Sequence, residues 1–324
     1  MRPNGLNLLT PVAVLLAAWL LSSCIYDYSD CDALQKTRIK LLVDWDMAPG
    51  ASPAGLAACF FPIGEGEIWR FDLPSPNGGN ISLPPGKYRM LLFNNDTSDV
   101  FFKDVDSYMD YDAYTLPVSD SNYADGNEAQ LVDGEPVLDC PDMMWRAVLS
   151  DVEVSEHGVS YDNSTFADTV VCHPDELCAH YHFRINDITN LDDVRKMAVI
   201  LSGMSGSVRI ASMDLDSKPV VLPVDMRRAG ADAVSGEFVT FGRCDNSSVT
   251  NMLTLSVRLS DGSRHKFVFD VTGQIFSAAD PYDVYIEVSG VDLPDVIPDK
   301  GDESTLDVEV VDWSTTYIEL ESEV

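Results

Sequence analysis

Apolar residues recur at every second position along most of this chain, and this period constrains the fold more than any other feature. Residues 37–45 begin the pattern, residues 87–94 repeat it, and residues 253–259 and 265–271 flank the turn Ser260-Asp261-Gly262-Ser263. Side chains alternate between the two faces of a β-strand, and Asp-Gly favours a tight hairpin. No segment has the 3.6-residue period of a long amphipathic helix. The pattern predicts an all-β chain of short antiparallel strands.

Length and charge set the number of domains and exclude one class of partner. The chain has 324 residues, of which 45% are hydrophobic, and its formal net charge is −32. At roughly 150 residues per domain, this length predicts two domains. Two β-sandwiches are the simplest arrangement, over residues 37–105 and 143–324, with the final strand 305–320 in the second. So negative a chain lacks the basic surface that binding to DNA or RNA requires.

The first 23 residues have the composition of a lipoprotein signal peptide. Arg2 precedes the apolar run 8–21, and Leu21-Ser22-Ser23-Cys24 then matches a lipobox, in which Cys24 is lipidated. The alternative is an ordinary secretory signal that contains a cysteine. Residues 24–36 form an acidic tether. Several acyl chains hold a soluble domain on a membrane, so we expect a protein anchored to the outer membrane. The aspartates of the tether favour the cell surface over the periplasmic face.

Residues 106–142 are predicted to connect the two sandwiches. Between positions 99 and 142 there are 12 acidic residues and a single cation, Lys103. Such a segment resists burial, so we expect a solvated connection. Calcium binding is the alternative, because Asp104 with Asp106 and Asp110 with Asp112 place oxygen ligands at alternate positions. The spacing of a calcium-binding helix–loop–helix is absent.

Cysteine and histidine are concentrated between positions 172 and 182. A zinc site is one interpretation, with ligands drawn from Cys172, His173, Cys178, His180 and His182. The period of two disfavours it. It places His180 and His182 on the same strand face as Arg184, and a cation there opposes a metal ion. The remaining interpretations are a disulfide between Cys172 and Cys178, or free thiols. We therefore predict no metal and no cofactor.

Catalytic motifs provide no positive signal. The sequence lacks a Gly-x-Ser-x-Gly elbow, a His-Glu-x-x-His pair, a phosphate-binding glycine loop and a dinucleotide fingerprint. A glycosidase needs only two suitably spaced carboxylates, and so acidic a chain always offers candidates. We predict a protein that is not an enzyme, with a carboxylate-dependent glycosidase as the remote alternative.

Several short motifs together resemble the fimbrillin-like lipoproteins of Bacteroidetes, in a branch near the minor and anchor fimbrial subunits. They are residues 81–95, Leu42-Val43-Asp44-Trp45, Phe60-Phe61-Pro62, the strand 181–185 and Val310-Val311-Asp312-Trp313. The resemblance implies two tandem transthyretin-like sandwiches of Greek-key type, lipid attachment and no active site. It also implies a fimbrial-type anchor, minor subunit or adhesin-like module that assembles with other subunits by β-strand addition.

Two segments are candidates for strand exchange with partners: the N-terminal strand 37–45, which directly follows the tether, and the C-terminal stretch 306–320. Leu306, Val308, Val310 and Trp313 form the candidate exchange strand, although this strand could instead close its own sandwich. The competing hypothesis is a glycan-binding accessory lipoprotein of a polysaccharide-uptake system, with a host or glycan ligand as its partner. In that hypothesis the sugar-stacking residues would be Trp69, Tyr108, Tyr111 and Tyr114.

Overall fold

The computed structural model describes residues 36–118, 131–132, 134–162, 164–296 and 314–318. One short α-helix, α1 (Thr272–Phe276), and a 3-10 turn (Leu191–Asp193) accompany the strands. None of the helices in these ranges is long and apolar enough to cross a membrane. The strands are β1 (Thr37–Val43), β2 (Leu56–Pro62), β3 (Trp69–Leu73), β4 (Gly78–Leu83), β5 (Gly86–Asn94), β6 (Phe101–Lys103), β7 (Asp112–Tyr114), β8 (Leu131–Val132), β9 (Glu135–Pro136), β10 (Trp145–Ser155), β11 (Gly158–Tyr161), β12 (Thr169–Cys172), β13 (Asp175–Glu176), β14 (Ala179–Ile188), β15 (Val194–Ser205), β16 (Ser207–Arg209), β17 (Pro219–Val224), β18 (Arg227–Arg228), β19 (Val234–Thr240), β20 (Met252–Leu259), β21 (Arg264–Asp270), β22 (Asp283–Val291) and β23 (Ser314–Ile318).

The first sandwich packs a three-stranded sheet, β12-β1-β4, against the sheet β11-β10-β5-β2-β3. Its core contains the inward residues of both sheets, among them Ile39 and Leu41 of β1, Phe60 of β2, and Met90 of β5. The period of two puts these side chains on one face of each strand. Burial of this face from water is the main favourable contribution to the folding of the sandwich.

β2 and β5 are buried on both faces. Cys59, Phe61 and Phe93 point away from the first core and pack into a separate cluster with Tyr111 and Ile210. This second layer explains why the sequence of β2 is a continuous apolar run rather than an alternating one. Cys59 is a buried free thiol.

Strand pairing differs from the predicted division at residue 143. β10 pairs with β5, and β12 pairs in parallel with β1, so residues 145–172 complete the first sandwich instead of opening the second. Alternation reports which face of a strand is buried but not which strand lies beside it. The sequence pattern therefore could not place these strands.

The second sandwich packs the sheet β18-β19-β14-β22 against the sheet β17-β15-β20-β21-β23. Phe183 and Ile185 of β14, Val199 and Leu201 of β15, and Phe269 of β21 lie in its core. The predicted all-β architecture of sandwiches is confirmed. Three neighbouring strand pairs are parallel within the described ranges, whereas the sequence predicted antiparallel strands: β1 with β12, β14 with β22, and β21 with β23.

The acidic segment is not solvated throughout, contrary to expectation. Its β7 forms a small sheet in the order β16-β7-β6, and Tyr111 and Ala113 are buried in the cluster beside the first sandwich. The strand buries Asp112 as well as Ala113, and the Lys103 ammonium pairs with the Asp112 carboxylate. Residues 108–110 form a turn that leads into β7.

Candidate functional site

The long edge strand β22 is the feature of the second sandwich best placed to meet another chain. It spans nine residues and pairs in parallel with β14, and no other described strand lies beside it. Val284, Ile286 and Val288 are buried in the core. The His180 N–H donates to the Tyr282 carbonyl at 2.8 Å, which sets the phase of the ladder. The backbone N–H and C=O of residues 285, 287 and 289 therefore point away from β14, toward the free edge.

A single side chain occupies the middle of this edge. Gln274 of α1 accepts a hydrogen bond from the Glu287 N–H at 2.8 Å and donates one to the Glu287 carbonyl, also at 2.8 Å. These are the two bonds that a neighbouring strand would make. The carboxamide thus satisfies one residue of the edge, and the backbone groups of Tyr285 and Ser289 on either side lack a partner strand within the described ranges. An unpaired edge of this kind is a template for strand addition.

The outer face next to the edge carries an aromatic stack. Tyr285 is 66% exposed, and its ring lies 4.6 Å from that of His182 at an interplanar angle of 12°. His182 Nε2 lies 3.0 Å from Asp283 Oδ1. The Asp283 carboxylate raises the pKa of Tyr285, because ionised tyrosine would place a second negative charge beside it. The predicted faces of β14 are confirmed, since Tyr181, Phe183 and Ile185 are buried.

The opposite sheet ends on the last described strand. β23 pairs in parallel with β21, from His265 with Ser314 to Phe269 with Ile318, and Ser314 Oγ donates to the Arg264 carbonyl at 3.2 Å. Residues 314–318 therefore pair within their own sandwich. The candidate exchange residues precede this strand and lie outside the described residues, as does the lipidation site; they are Leu306, Val308, Val310, Trp313 and Cys24.

The structure separates the cysteines and histidines that the sequence placed close together. Cys172 is a free thiol in the core of the first sandwich, and Cys178 is a free thiol in the cluster beside it. They lie in different cores, so the structure does not form the disulfide considered for them. His173 contacts Asp46, and His182 contacts Asp283. The zinc cluster considered from the sequence is therefore not assembled.

The acidic residues considered for calcium line an open cleft of about 640 Å³. Two cations share it: Lys103 Nζ lies 2.9 Å from Asp112 Oδ2, and Arg209 lies within salt-bridge distance of Asp110 and Asp214. Asp112 is 8% exposed, and its second carboxylate oxygen has no hydrogen-bond partner. Within the described ranges, no three carboxylates of the cleft bring oxygens within 4.8 Å of one another.

The four aromatic residues of the glycan hypothesis do not form an exposed flat surface. Tyr111 is buried, and it meets Phe61 edge to face, as Tyr108 does. Trp69 lies beneath the ammonium of Lys36, at 4.1 Å from its ring centre. Tyr114 packs against Phe101. These side chains fill the layers between sheets or cover their margins, which leaves no stacking platform among them.

Comparisons with known proteins agree on fold and family. A Bacteroides ovatus protein named "Putative fimbrium anchoring subunit Fim4B" is 27% identical over 103 residues, which cover 32% of this chain and 31% of that protein. The match thus spans about a third of the length of this relative. The crystal structure of a "putative adhesin" from the same species superposes with a TM-score of 0.59 at 18% identity, over 83% of this chain and 97% of that one. This similarity establishes a shared fold.

A further solved structure is the fimbrial anchor protein Mfa2 of Porphyromonas gingivalis. It covers 78% of this chain and 90% of its own, with 14% identity and a TM-score of 0.48. The resemblance to Bacteroidetes fimbrial proteins that the motifs indicated is confirmed by the two Bacteroides ovatus proteins. Residues 23–225 match the family described as a domain of unknown function, DUF5119, and this match covers more than half of the chain. The chain therefore belongs to the DUF5119 family.

Proposed function

We propose that this chain is a cell-surface protein of the fimbrial type, an anchor, minor subunit or adhesin-like module that assembles with other subunits by β-strand addition. The observation that carries the proposal is the free edge of β22, where the outward backbone groups of Tyr285 and Ser289 have no partner strand within the described ranges and those of Glu287 bind only the Gln274 side chain. The relative named as a fimbrium anchoring subunit supports this assignment.

Attachment to the outer membrane through lipid on Cys24 is part of the proposal. Its support is the signal peptide of residues 1–23 and the lipobox that ends in Cys24. An anchored chain remains at the membrane while other subunits extend from it. A strand edge on the second sandwich, far along the chain from the lipid, suits this role because it lies in the domain that is not directly tethered.

Charge indicates what kind of strand the edge accepts. Asp283 and Glu287 flank the free edge on its outer face, while Val284 and Ile286 supply the apolar inner face. A matching strand carries apolar residues inward and basic or neutral residues outward. The candidate exchange segment of this chain carries Asp307 and Glu309 between its apolar residues. Like charges disfavour the addition of this segment to the β22 edge of a second copy, so we propose that the segment pairs with a different subunit.

Glycan binding is not favoured by any described feature. Its four candidate aromatic residues contribute to packing or lie under a cation, as described above. The relatives found are named as fimbrial or adhesion proteins, which supports a role without catalysis.

The test uses a matched pair of variants at one edge position. Tyr285→Pro removes an N–H that faces the free edge and leaves the bonds to β14 intact, whereas Tyr285→Thr removes the ring and keeps the N–H. A photo-crosslinking residue at Ser289 reports the neighbour in living cells. We expect a crosslink to a fimbrial subunit, identified by mass spectrometry, that persists in the threonine variant and disappears in the proline variant. Equal crosslinking in both variants, or none in the parent, would contradict strand addition here.

A further inference from the structure

The parallel pair β1 and β12 brings three potential metal ligands to one end of the first sandwich. The last paired residues are Val43 and Cys172, and the Asp44 N–H donates to the Cys172 carbonyl at 2.9 Å. Because both strands run in the same direction, the residues that follow them emerge side by side. Asp44 and Asp46 follow β1, and His173 follows β12.

These three side chains converge. One oxygen of each carboxylate and one ring nitrogen of His173 all lie within 4.8 Å of one another, and no other group of three such side chains does so in the described part of the chain. His173 Nδ1 lies 2.8 Å from Asp46 Oδ1.

The backbone between the two aspartates is held in place. Trp45 donates its indole N–H to the Pro76 carbonyl at 3.0 Å and meets Trp145 edge to face, with ring centres 6.0 Å apart. The Ala48 N–H donates to the Trp45 carbonyl at 3.1 Å. The two aspartates therefore project from a fixed segment, and small rotations of exposed side chains suffice to bring all three ligand atoms onto one ion.

The ligand set indicates the kind of ion. One imidazole nitrogen with two carboxylate oxygens suits zinc and similar divalent transition metals, at bond lengths of about 2.0–2.2 Å, whereas calcium and magnesium favour oxygen alone. Elsewhere the geometry differs. Glu237 and Asp283 approach opposite ring nitrogens of His182, at 3.8 and 3.0 Å, so they cannot share one ion with that ring.

We propose that Asp44, Asp46 and His173 form a binding site for a divalent transition-metal ion, with zinc as the best match. A bound ion joins the end of β1 to the segment after β12. β1 is the first described strand and follows the predicted tether, so the ion fixes the strand that would link the folded domain to the proposed anchor. The remaining coordination positions are open to water or to a ligand from another chain. This site is independent of the β22 edge and of strand addition.

Titration calorimetry with zinc chloride tests the site on the mature chain without its lipid. We expect one equivalent of zinc to bind, with a rise in the melting temperature and a change in tryptophan fluorescence from Trp45. His173→Gln and Asp46→Asn should each weaken binding about tenfold or more. All three ligands are exposed, so these variants should keep the fold, which circular dichroism checks.

His182→Gln is the matched control, because it removes another partly exposed histidine that contacts two carboxylates. It should bind zinc as the parent does. Equal affinity in the parent and in His173→Gln would overturn the proposal, and so would binding of calcium in preference to zinc. A fluorescence change that survives Asp46→Asn would also place the ion elsewhere.

Discussion

Gln274 and Glu287 are joined by two hydrogen bonds of 2.8 Å, through which the side-chain amide of one residue replaces a neighbouring strand for the other. Edge strands of natural sheets are protected in several ways, because bare edges lead to aggregation. Here a single side chain protects the centre of a nine-residue edge. Such protection is reversible, since an incoming strand can make both bonds in its place.

Replacing Gln274 should expose the edge. In Gln274→Ala the Glu287 N–H loses its acceptor, so its amide hydrogen should exchange faster, while the amides of Tyr285 and Ser289 should keep their rates. The edge is open to water, so the loss of stability should be at most about 1.5 kcal/mol. Hydrogen exchange followed by NMR measures both quantities. An unchanged Glu287 rate would mean that the amide bond does not form in solution.

Gly78 should be intolerant of any side chain. Its φ is +91°, and a Cβ there would clash with the Leu41 carbonyl, next to its partner Leu42 in β1. Gly262 is the matched control, with φ +89° and open space around it. Both alanine variants incur the cost of a left-handed backbone, but only Gly78→Ala also forces β1 and β4 apart. We expect Gly78→Ala to lower the free energy of unfolding by about 1–3 kcal/mol more than Gly262→Ala in urea titrations. Equal losses would contradict this packing.

Buried thiols should make the protein sensitive to alkali. Burial raises the pKa of Cys59 to about 11 and those of Cys140, Cys172 and Cys178 to about 12, from 9.0. The folded state holds these protons more tightly than the unfolded state. Their contribution to stability is therefore complete below pH 9 and is lost as the pH rises from 9 toward 12.

Urea titrations at pH 8 and pH 10 measure this effect. We expect the free energy of unfolding to fall by about 1 kcal/mol for each such thiol. In Cys172→Ala the free energy of unfolding should fall less between pH 8 and pH 10 than in the parent, because the variant lacks the contribution of one thiol. At pH 8 the native thiols should react slowly with a disulfide reagent and quickly in urea. Fast reaction of any of these four thiols in the native protein, assigned by mass spectrometry, would contradict their burial.

The proposed lipid attachment depends on Cys24. Cys24→Ser should release the chain from the membrane fraction, because the modified sulfur is lost. Cys31→Ser is the control, since that cysteine lies in the tether after the lipobox. Labelling with a radioactive fatty acid and detergent phase partition measure the outcome. A lipid label retained by Cys24→Ser would place the anchor at another residue.

The candidate exchange strand can be tested separately from the acceptor edge. Val308→Lys with Val310→Lys places charge on its apolar face, and we expect crosslinked assemblies to decrease while the melting temperature changes little. Asp307→Lys with Glu309→Lys adds the same residues to the opposite face as a control. A large drop in melting temperature for the valine variants would instead mean that this segment belongs to the protein's own core.

Alternation predicted which face of each strand is buried, and it did so correctly for β14, where Tyr181, Phe183 and Ile185 enter the core. It did not indicate neighbours. The pairing of β10 with β5 joins segments more than fifty residues apart, and nothing in a period of two specifies such a partner. The burial of β7 is not predictable from composition for a related reason. The high charge of residues 99–142 predicts a solvated segment, although two positions of β7 are buried.

The candidate sites were less accessible to sequence reasoning. The Gln274–Glu287 pair connects a helix of five residues to an edge strand, and neither residue is unusual in composition. Asp44 and His173 are 129 positions apart, and only the parallel register of β1 and β12 brings them together. The histidine was considered for zinc with the cysteines near it in sequence. Its metal-ligating neighbours in space are aspartates from another strand.

The most direct test of strand addition is amide hydrogen exchange in the assembled state. Fimbrial assemblies that contain this chain are purified, and exchange is compared with the free protein for residues 283–291. We predict that the amides of Tyr285 and Ser289 are exposed in the free chain and become protected on assembly, while those of Val284 and Ile286 are protected in both. Exchange at Tyr285 and Ser289 that is as fast in the assembly as in the free chain would contradict the account.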